Sequence, residues 1–168
     1  MTVRPGAPAA SYRSSRADKL RSMYTGGRPT NAAKAIHRRF VNGPLPRLLP
    51  IAGVLEVRGR VSGNVISVPV APVRYRGEWY LVSMLGERSN WVANVRAAAG
   101  EAVLLHGRRR AVHLVEEARS EQKAPIIKRY LFFALSARPH VAVSWRAPIS
   151  EIQVVVGRYP VFRIEKKN

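Results

Sequence analysis

Two short segments of the chain carry residues that can hold an anionic ligand. The first is Gly59–Arg60–Val61–Ser62–Gly63, which directly follows an apolar, alternating stretch typical of a strand. Its glycines let the backbone approach a ligand closely, and its N–H groups, with Arg60 and Ser62, offer hydrogen-bond donors to an anion. Hairpin turns often contain the same residue types, so an ordinary turn is the alternative interpretation.

The second segment spans residues 83–94, where one strand ends, a glycine loop follows and a helix begins near Ser89 or Asn90. Both residues are good N-caps, and a helix N-terminus favours anions. Residues spaced by three lie along one side of this helix, namely Arg88, Trp91 and Asn94. The indole of Trp91 either stacks on a planar ring or fills the core.

The sequence lacks the residues that other common kinds of catalytic site require. The chain has no cysteine, which excludes disulfides, zinc–thiolate sites and cysteine nucleophiles, and Asp18 is its only aspartate. The histidines show no metal-binding spacing, and Glu116 and Glu117 would point to opposite faces of a strand, so no metal site is predicted. Nucleotide-binding glycine motifs are also absent from the sequence. A cofactor must therefore carry the chemistry, if the protein is an enzyme.

The elements that position these segments alternate between strand and helix patterns. The sequence predicts strands at residues 53–58, 65–75 (interrupted by Pro69 and Pro72), 79–84, 102–105, 110–115 and 160–164, and helices at 88–99 and 120–135. Residues 154–156 favour a strand by propensity, whereas the spacing of apolar residues from 149 to 156 also fits a helix. Hairpins with inserted helices indicate an α+β domain with an antiparallel sheet or small barrel.

The positive charge is unevenly distributed. The chain has 29 Lys and Arg against 10 Asp and Glu, a net charge of +19, and residues 1–50 contain ten cations and one acid. We expect residues 1–30 to be a basic, mostly disordered arm and residues 31–168 to form a single domain. Polyanions are the natural partners of such a chain: nucleic acid, an anionic membrane or a multiply charged cofactor.

A basic amphipathic helix is predicted after residue 31, followed by prolines and leucines up to residue 51. Residues 31–51 either rest on an anionic membrane surface or cover one end of the core. No apolar run is long enough to cross a bilayer, and the N-terminus lacks a continuous apolar signal core. The expected location is the cytoplasm, with peripheral contact at the inner face of the cell membrane under the first interpretation.

Four motifs occur in an order that resembles the deazaflavin-dependent nitroreductase and quinone reductase family over roughly residues 36–165. They are Gly59–Arg60–x–Ser62–Gly63, Val68–Pro69–Val70, the strand that ends at Ser83, and Trp91–x–x–Asn94. The resemblance implies a flavin-reductase-like antiparallel split β-barrel with inserted and flanking helices. It also implies that the protein transfers a hydride from reduced coenzyme F420 to a quinone, a nitro compound or an activated alkene.

The resemblance also implies which residues form the site. Those matched to the phosphate side of the cofactor are Gly59, Arg60, Ser62, Gly63, Trp91 and Asn94, and those matched to the ring side are Pro69, Val70, Ser83, Met84 and Leu85. Val61, Ile66 and Met84 stand where the family often has cationic residues, and Arg88 and Arg96 are expected to compensate. Ser83 and Tyr130 are the catalytic candidates, with the Tyr130 hydroxyl as a proton or hydrogen-bond donor. Phe132 and Phe133 are expected to fill the core rather than line the acceptor pocket.

Three other functions remain open at this point. The barrel could bind a cofactor or small ligand without turnover, or it could use flavin mononucleotide (FMN), whose ring has a similar shape. Nucleic-acid binding through the basic arm is the least favoured, because no motif that reads DNA or RNA is present. A small-molecule hydride acceptor is the expected partner, and a homodimer is compatible with the pattern.

Overall fold

The computed structural model describes residue 43 and residues 51–167, together with the backbone of residues 24–25 and 28–29. In these residues, β1 (Tyr24–Thr25) and β2 (Arg28–Pro29) form a small antiparallel pair. The main sheet consists of β3 (Gly53–Arg58), β4 (Val65–Val70), β5 (Val73–Tyr75), β6 (Glu78–Val82), β7 (Glu101–His106), β8 (Arg108–Glu116) and β9 (Val161–Lys166). The α-helices are α1 (Asn90–Ala97), α2 (Ser120–Phe133) and α3 (Ile149–Val155).

The seven strands of the main sheet are all antiparallel and close into a barrel. Their order is β4-β3-β7-β8-β9-β6-β5, so β4 and β5 are the two outer strands. A flat sheet of this width would hold its outer strands roughly 29 Å apart. Only residues 71–72 join β4 to β5, and three residue steps reach about 11 Å. The sheet must therefore curl until its edges approach, which confirms the split β-barrel predicted from the sequence.

Two hydrophobic cores lie on opposite faces of β6 and β9. The barrel core contains Leu81 and Phe162 together with Val92 and Val95 of α1. The helical core contains the neighbouring strand residues, including Val161, packed against α2 and α3. This division follows from the strand period of two, because successive residues point to opposite faces of the sheet. These two strands are thus covered on both sides, and they form the rigid centre of the domain.

Most of the predicted elements are confirmed, with informative differences at their ends. The predicted strand 65–75 is two strands, because residues 71–72 turn the chain from one edge of the barrel to the other. The predicted strand 79–84 ends at Val82, and α1 begins at Asn90 after a short 3₁₀ turn at Gly86–Arg88. Residues 149–155 form a helix, and only residues 161–166 form the last strand. In α3 the apolar stripe on the helical core prevails over the β-propensity of the valines.

Several expectations fall on residues that the structure does not describe. The predicted disorder of residues 1–30 lies outside the described residues, apart from the paired backbone of β1 and β2. The predicted amphipathic helix after residue 31 also lies outside them. The boundary between an arm and a domain at residue 30 therefore stays a prediction.

Substitution of Gly100 should destabilise the fold more than substitution of Gly107. Both glycines have a positive φ, +83° and +70°, so alanine at either position costs about 1–2 kcal/mol in backbone strain. A Cβ on Gly100 would lie 2.7 Å from the Leu114 carbonyl oxygen, whereas one on Gly107 meets nothing within 4 Å. We expect Gly100→Ala to lose a further ~1–3 kcal/mol of unfolding free energy in urea titrations. Equal losses in the two variants would contradict this.

Candidate cofactor site

The predicted turn is a compact loop that connects β3 to β4. The Gly59 N–H donates to the Asn64 carbonyl oxygen at 2.8 Å, and the Gly63 N–H donates to the Gly59 carbonyl oxygen at 2.8 Å. A Cβ on Gly59 would lie 2.7 Å from Ile66 Cδ1 and 2.9 Å from Ser62 Oγ, so a larger residue here would have to displace these two side chains. The side chain of Ile66, which stands where the family often has arginine, thus lies over the turn.

Arg60 and Asn94 join this turn to α1. The Asn94 side chain is 2% exposed, and its Oδ1 accepts hydrogen bonds from the Arg60 N–H at 3.2 Å and from Arg60 Nη1 at 2.9 Å. These two residues are 34 positions apart, and they come from the two segments that the sequence singles out. The structure therefore brings the glycine turn and the Trp91–Asn94 helix into one site.

The donors left over in the turn suit a phosphate group. Among the described residues, no acceptor faces the N–H groups of Val61 and Ser62, and the space above Gly63 is open within 4 Å. Arg60 is held by an amide rather than a carboxylate, so its positive charge is not neutralised there. Free N–H groups beside an uncompensated guanidinium are the usual donors to a phosphate. The turn therefore fits the anionic part of a phosphate-bearing cofactor.

Ser83 stabilises the loop between β6 and α1. Its side chain is 1% exposed, and its hydroxyl donates to the Gly86 carbonyl oxygen at 2.9 Å. The Ser83 N–H donates to the Pro160 carbonyl oxygen at 2.9 Å, which ties the end of β6 to the start of β9. A Cβ on Gly86 would lie 2.5 Å from the Arg158 carbonyl oxygen, so this loop packs against the backbone. The hydroxyl of Ser83 thus has a structural partner, and a catalytic role for it stays a prediction.

Arg96 holds the same loop from the other side, a role that the sequence analysis missed. It binds Glu87 at 2.6 Å and Glu116 at 2.6 Å, and the hydrogen bonds to Glu116 and Glu87 raise the pKa of Arg96. Arg96 is therefore neutralised, and the expectation that it compensates for missing cations at the cofactor is wrong. Glu87 is the only acid between residues 79 and 100, which is a signal for this pairing. Glu116 is twenty residues from Arg96 and gives no such local signal.

Two of the ring-side residues pack against the hydrophobic cores, one against each core. Pro69, Val70, Met84 and Leu85 are half-buried. Val70 packs against the barrel core, whereas Met84 packs against the helical core. The half-buried indole of Trp91 lies 5.4 Å from the Phe162 ring, measured between ring centroids. Trp91 therefore contacts the core and also keeps an accessible part.

Of the three aromatic residues at the end of α2, one is buried and two are exposed. Tyr130 is 6% exposed and belongs to the helical core, to which Met84 also packs. Phe132 and Phe133 are 53% and 39% exposed, so the expectation that they fill the core is wrong. The helical period explains the difference, because the buried stripe of α2 passes through Ile126, Ile127, Tyr130 and Leu131 and leaves the next two residues outside.

The part of the chain that contains the β3–β4 turn and α1 matches a known protein family. The model of the F420H(2)-dependent quinone reductase family matches residues 32–131, which is more than half of the chain. No curated protein matches the sequence. Among solved structures, an F420-H2 dependent reductase (FDR-A) is 22% identical, with 68% of this chain and 94% of that chain covered and a TM-score of 0.43.

Two further solved structures are similar at lower identity. ChuZ from Campylobacter jejuni is 12% identical, with 83% of this chain covered and a TM-score of 0.49, and this chain spans 55% of its length. A NimC/NimA family protein from Clostridium acetobutylicum is 11% identical, with 76% of this chain and 86% of that chain covered and a TM-score of 0.46.

The match of the family model defines the class of this protein. The family is one of oxidoreductases that use the deazaflavin cofactor F420 in its reduced form. The chain belongs to the F420H(2)-dependent quinone reductase family. Its cofactor is therefore coenzyme F420, and the family supports this cofactor over the FMN alternative. Within the described residues, no helix has the length and apolar character needed to cross a membrane.

Removal of the Glu87 charge should destabilise the protein in a pH-dependent way. The hydrogen bond from Arg96 lowers the pKa of Glu87 below its ordinary value of 4.5. The stabilisation is therefore complete above pH 4.5 and is lost as the pH falls through the lower, folded-state pKa. Because the side chain is 52% exposed, we expect Glu87→Gln to cost less than about 1 kcal/mol at neutral pH.

Urea titrations at several pH values check this expectation. The difference between wild type and Glu87→Gln should shrink below about pH 4.5. Glu151→Gln is the matched control, because Glu151 is exposed on α3 and forms no ion pair with any described residue. A difference that stays constant into the acid range would show that the ion pair with Arg96 is not its cause.

Proposed function

We propose that the protein reduces a quinone with F420H2 and that nitro compounds and activated alkenes are further acceptors. The family to which the chain belongs supports the quinone. Bound F420H2 supplies a hydride, that is two electrons and one proton, and a quinone that accepts it needs one more proton to become the quinol. The chain's own residues then have three tasks: to hold the cofactor, to exclude water and to supply that proton.

The observation that carries this proposal is the contact between Arg60 and Asn94. It fixes the open N–H groups of the turn beside α1, in a place where Asn94 is buried. Preformed donors that need no rearrangement bind an anion with little loss of entropy. In the proposal, Arg60 and the N–H groups of Val61 and Ser62 hold the phosphate of F420 in the open space above Gly63, and the exposed Arg88 lies near the start of α1 as a second cation.

The half-buried ring-side residues would hold the ring. Pro69, Val70, Met84 and Leu85 offer an apolar surface, which excludes water and suits a planar, partly apolar ring system. Trp91 would contact the cofactor through the part of its indole that Phe162 does not cover. In this proposal Ser83 acts through the loop that it stabilises, because its hydroxyl is already bound to Gly86.

Residues 31–51 are proposed to bring the enzyme to a membrane-held quinone, since their sequence is basic and amphipathic. All but residues 43 and 51 of this segment lie outside the described residues.

A homodimer and a cytoplasmic location are compatible proposals. The alternative function is a protein that binds F420 without turnover. It is favoured by Val61, Ile66 and Met84, which stand where the family often has cationic residues.

Arg60→Ala should weaken F420 binding without unfolding the protein. Arg60 is exposed, and its loss removes one charge-assisted contact to a phosphate, so we expect the Kd to rise about 10- to 100-fold. Fluorescence titration with F420 measures the Kd directly, and circular dichroism confirms folding.

Arg108→Ala is the matched control for this titration. It removes the same charge from an exposed position in the β7–β8 hairpin, which lies at the other end of β3, because Leu105 pairs with Val54 while the turn follows Arg58. Its Kd should equal that of wild type. Equal weakening in the two variants would mean that only net charge matters and that the turn does not bind the phosphate. Tight binding without reduction of menadione or a nitroaromatic would support the non-catalytic alternative.

Tyr130→Phe should slow quinone reduction while leaving the Kd for F420 unchanged. If the Tyr130 hydroxyl supplies the proton, its loss should lower kcat by about 10²-fold. Tyr80→Phe is the matched control, since Tyr80 is also 6% exposed and belongs to the same helical core. Stopped-flow oxidation of F420H2 by menadione measures the rate. A rate that falls equally in both variants would assign Tyr130 to the core alone.

A further inference from the structure

An exposed aromatic surface lies at the end of α2, beyond the residues that the family model matches. We define it as the aromatic patch, formed by Phe132, Phe133, Leu135 and Trp145. Phe132, Phe133 and Leu135 are 53%, 39% and 63% exposed. Neighbouring large apolar side chains at the surface of a protein usually mark an interaction site rather than chance exposure.

The aromatic rings of the patch pack on one another and are held in place. The Phe132 ring lies 5.0 Å from Phe133 and 5.8 Å from Trp145, measured between centroids. Arg138 donates from Nε to the Leu131 carbonyl oxygen at 2.8 Å and from Nη2 to the Phe132 carbonyl oxygen at 3.1 Å. These bonds satisfy carbonyl groups of the last turn of α2. The aromatic rings of the patch are therefore held in fixed positions by contacts within the protein.

Arginine side chains surround the patch, and no acid accompanies them. The guanidinium groups of Arg138 and Arg146 lie 4.6 and 4.9 Å from the centre of the Trp145 ring, and that of Arg129 lies 5.3 Å from the centre of Phe133. Residues 122–150 contain five cations and no Asp or Glu. Within the described part of the chain, none of these cations forms a salt bridge. The patch is thus apolar at its centre and positively charged at its rim.

We propose that the aromatic patch is a docking site for an anionic lipid bilayer. Aromatic and leucine side chains enter the interfacial layer of a bilayer, while arginines remain at the level of the phosphates. Each cation near an anionic surface strengthens binding by roughly fivefold. Nucleic acid fits less well, because the Trp145 ring already contacts two guanidinium groups and the Phe132 ring, which compete with a base for stacking on it. This inference does not depend on the identity of the hydride acceptor.

Co-sedimentation of the full-length protein with vesicles tests the proposal. Wild type should bind phosphatidylcholine vesicles that contain phosphatidylglycerol and should bind pure phosphatidylcholine at least tenfold more weakly. Leu135→Ser should weaken binding to the anionic vesicles several-fold. Val154→Ser is the matched control, because Val154 is an apolar residue 84% exposed on α3 that is not part of the aromatic patch, and this variant should bind like wild type.

A second measurement separates the patch from the basic segment before residue 51. Tryptophan occurs only at positions 79, 91 and 145, so lipids brominated on their acyl chains should quench the fluorescence of Trp145. This quenching should disappear in Trp145→Phe, while vesicle binding persists in part. Binding without quenching, binding that Leu135→Ser does not change, or binding to duplex DNA that vesicles do not compete away would each overturn the proposal.

Discussion

The link of two residues between β4 and β5 is the constraint on which the rest of the molecule depends. Because these two strands stand at opposite ends of the sheet order, the short link forces seven strands into a barrel. Closure then places the β3–β4 turn against the helix that follows β6, although the two are far apart in sequence. A Cβ on Gly53 would lie 3.2 Å from the ring of Pro72, which shows how closely the link packs against β3. The site is thus a consequence of closure.

Within that barrel, the β3–β4 turn is held in position by the side-chain amide of Asn94 rather than by an ion pair. Asn94 accepts hydrogen bonds from two donors of Arg60 and leaves the positive charge of the Arg60 guanidinium available. A carboxylate in the same place would neutralise that charge. The neighbouring loop uses the opposite arrangement, since Arg96 is held between Glu87 and Glu116. An arginine is therefore left charged and available in one place and is neutralised in the other, and the difference lies in its partner.

The sequence predicted the barrel, most strands and the two segments of the site, because strand alternation, glycine turns and helical spacing are local signals. It could not predict that Arg96 is neutralised, because one of its partners, Glu116, lies on β8. It also placed Phe132 and Phe133 in the core, whereas both are exposed. A hydrophobic run at the end of a helix has the same sequence pattern whether or not other elements cover it, so the pattern alone could not show their exposure. The ambiguous residues of α3 were decided by tertiary packing on the helical core.

The glutamates neutralise some of the cations of the domain and leave others unpaired among the described residues. The described glutamates that form ion pairs bind Arg96, Arg109, Arg119, Arg163 and Lys167. None of these described pairs involves Arg60 in the turn or the arginines around the aromatic patch. Charges left uncompensated in a folded protein repel one another and reduce its stability unless a polyanion neutralises them. The barrel has two such regions, one in the β3–β4 turn and one beside the exposed aromatic rings. They agree with the two anionic partners proposed above, the cofactor and an anionic bilayer.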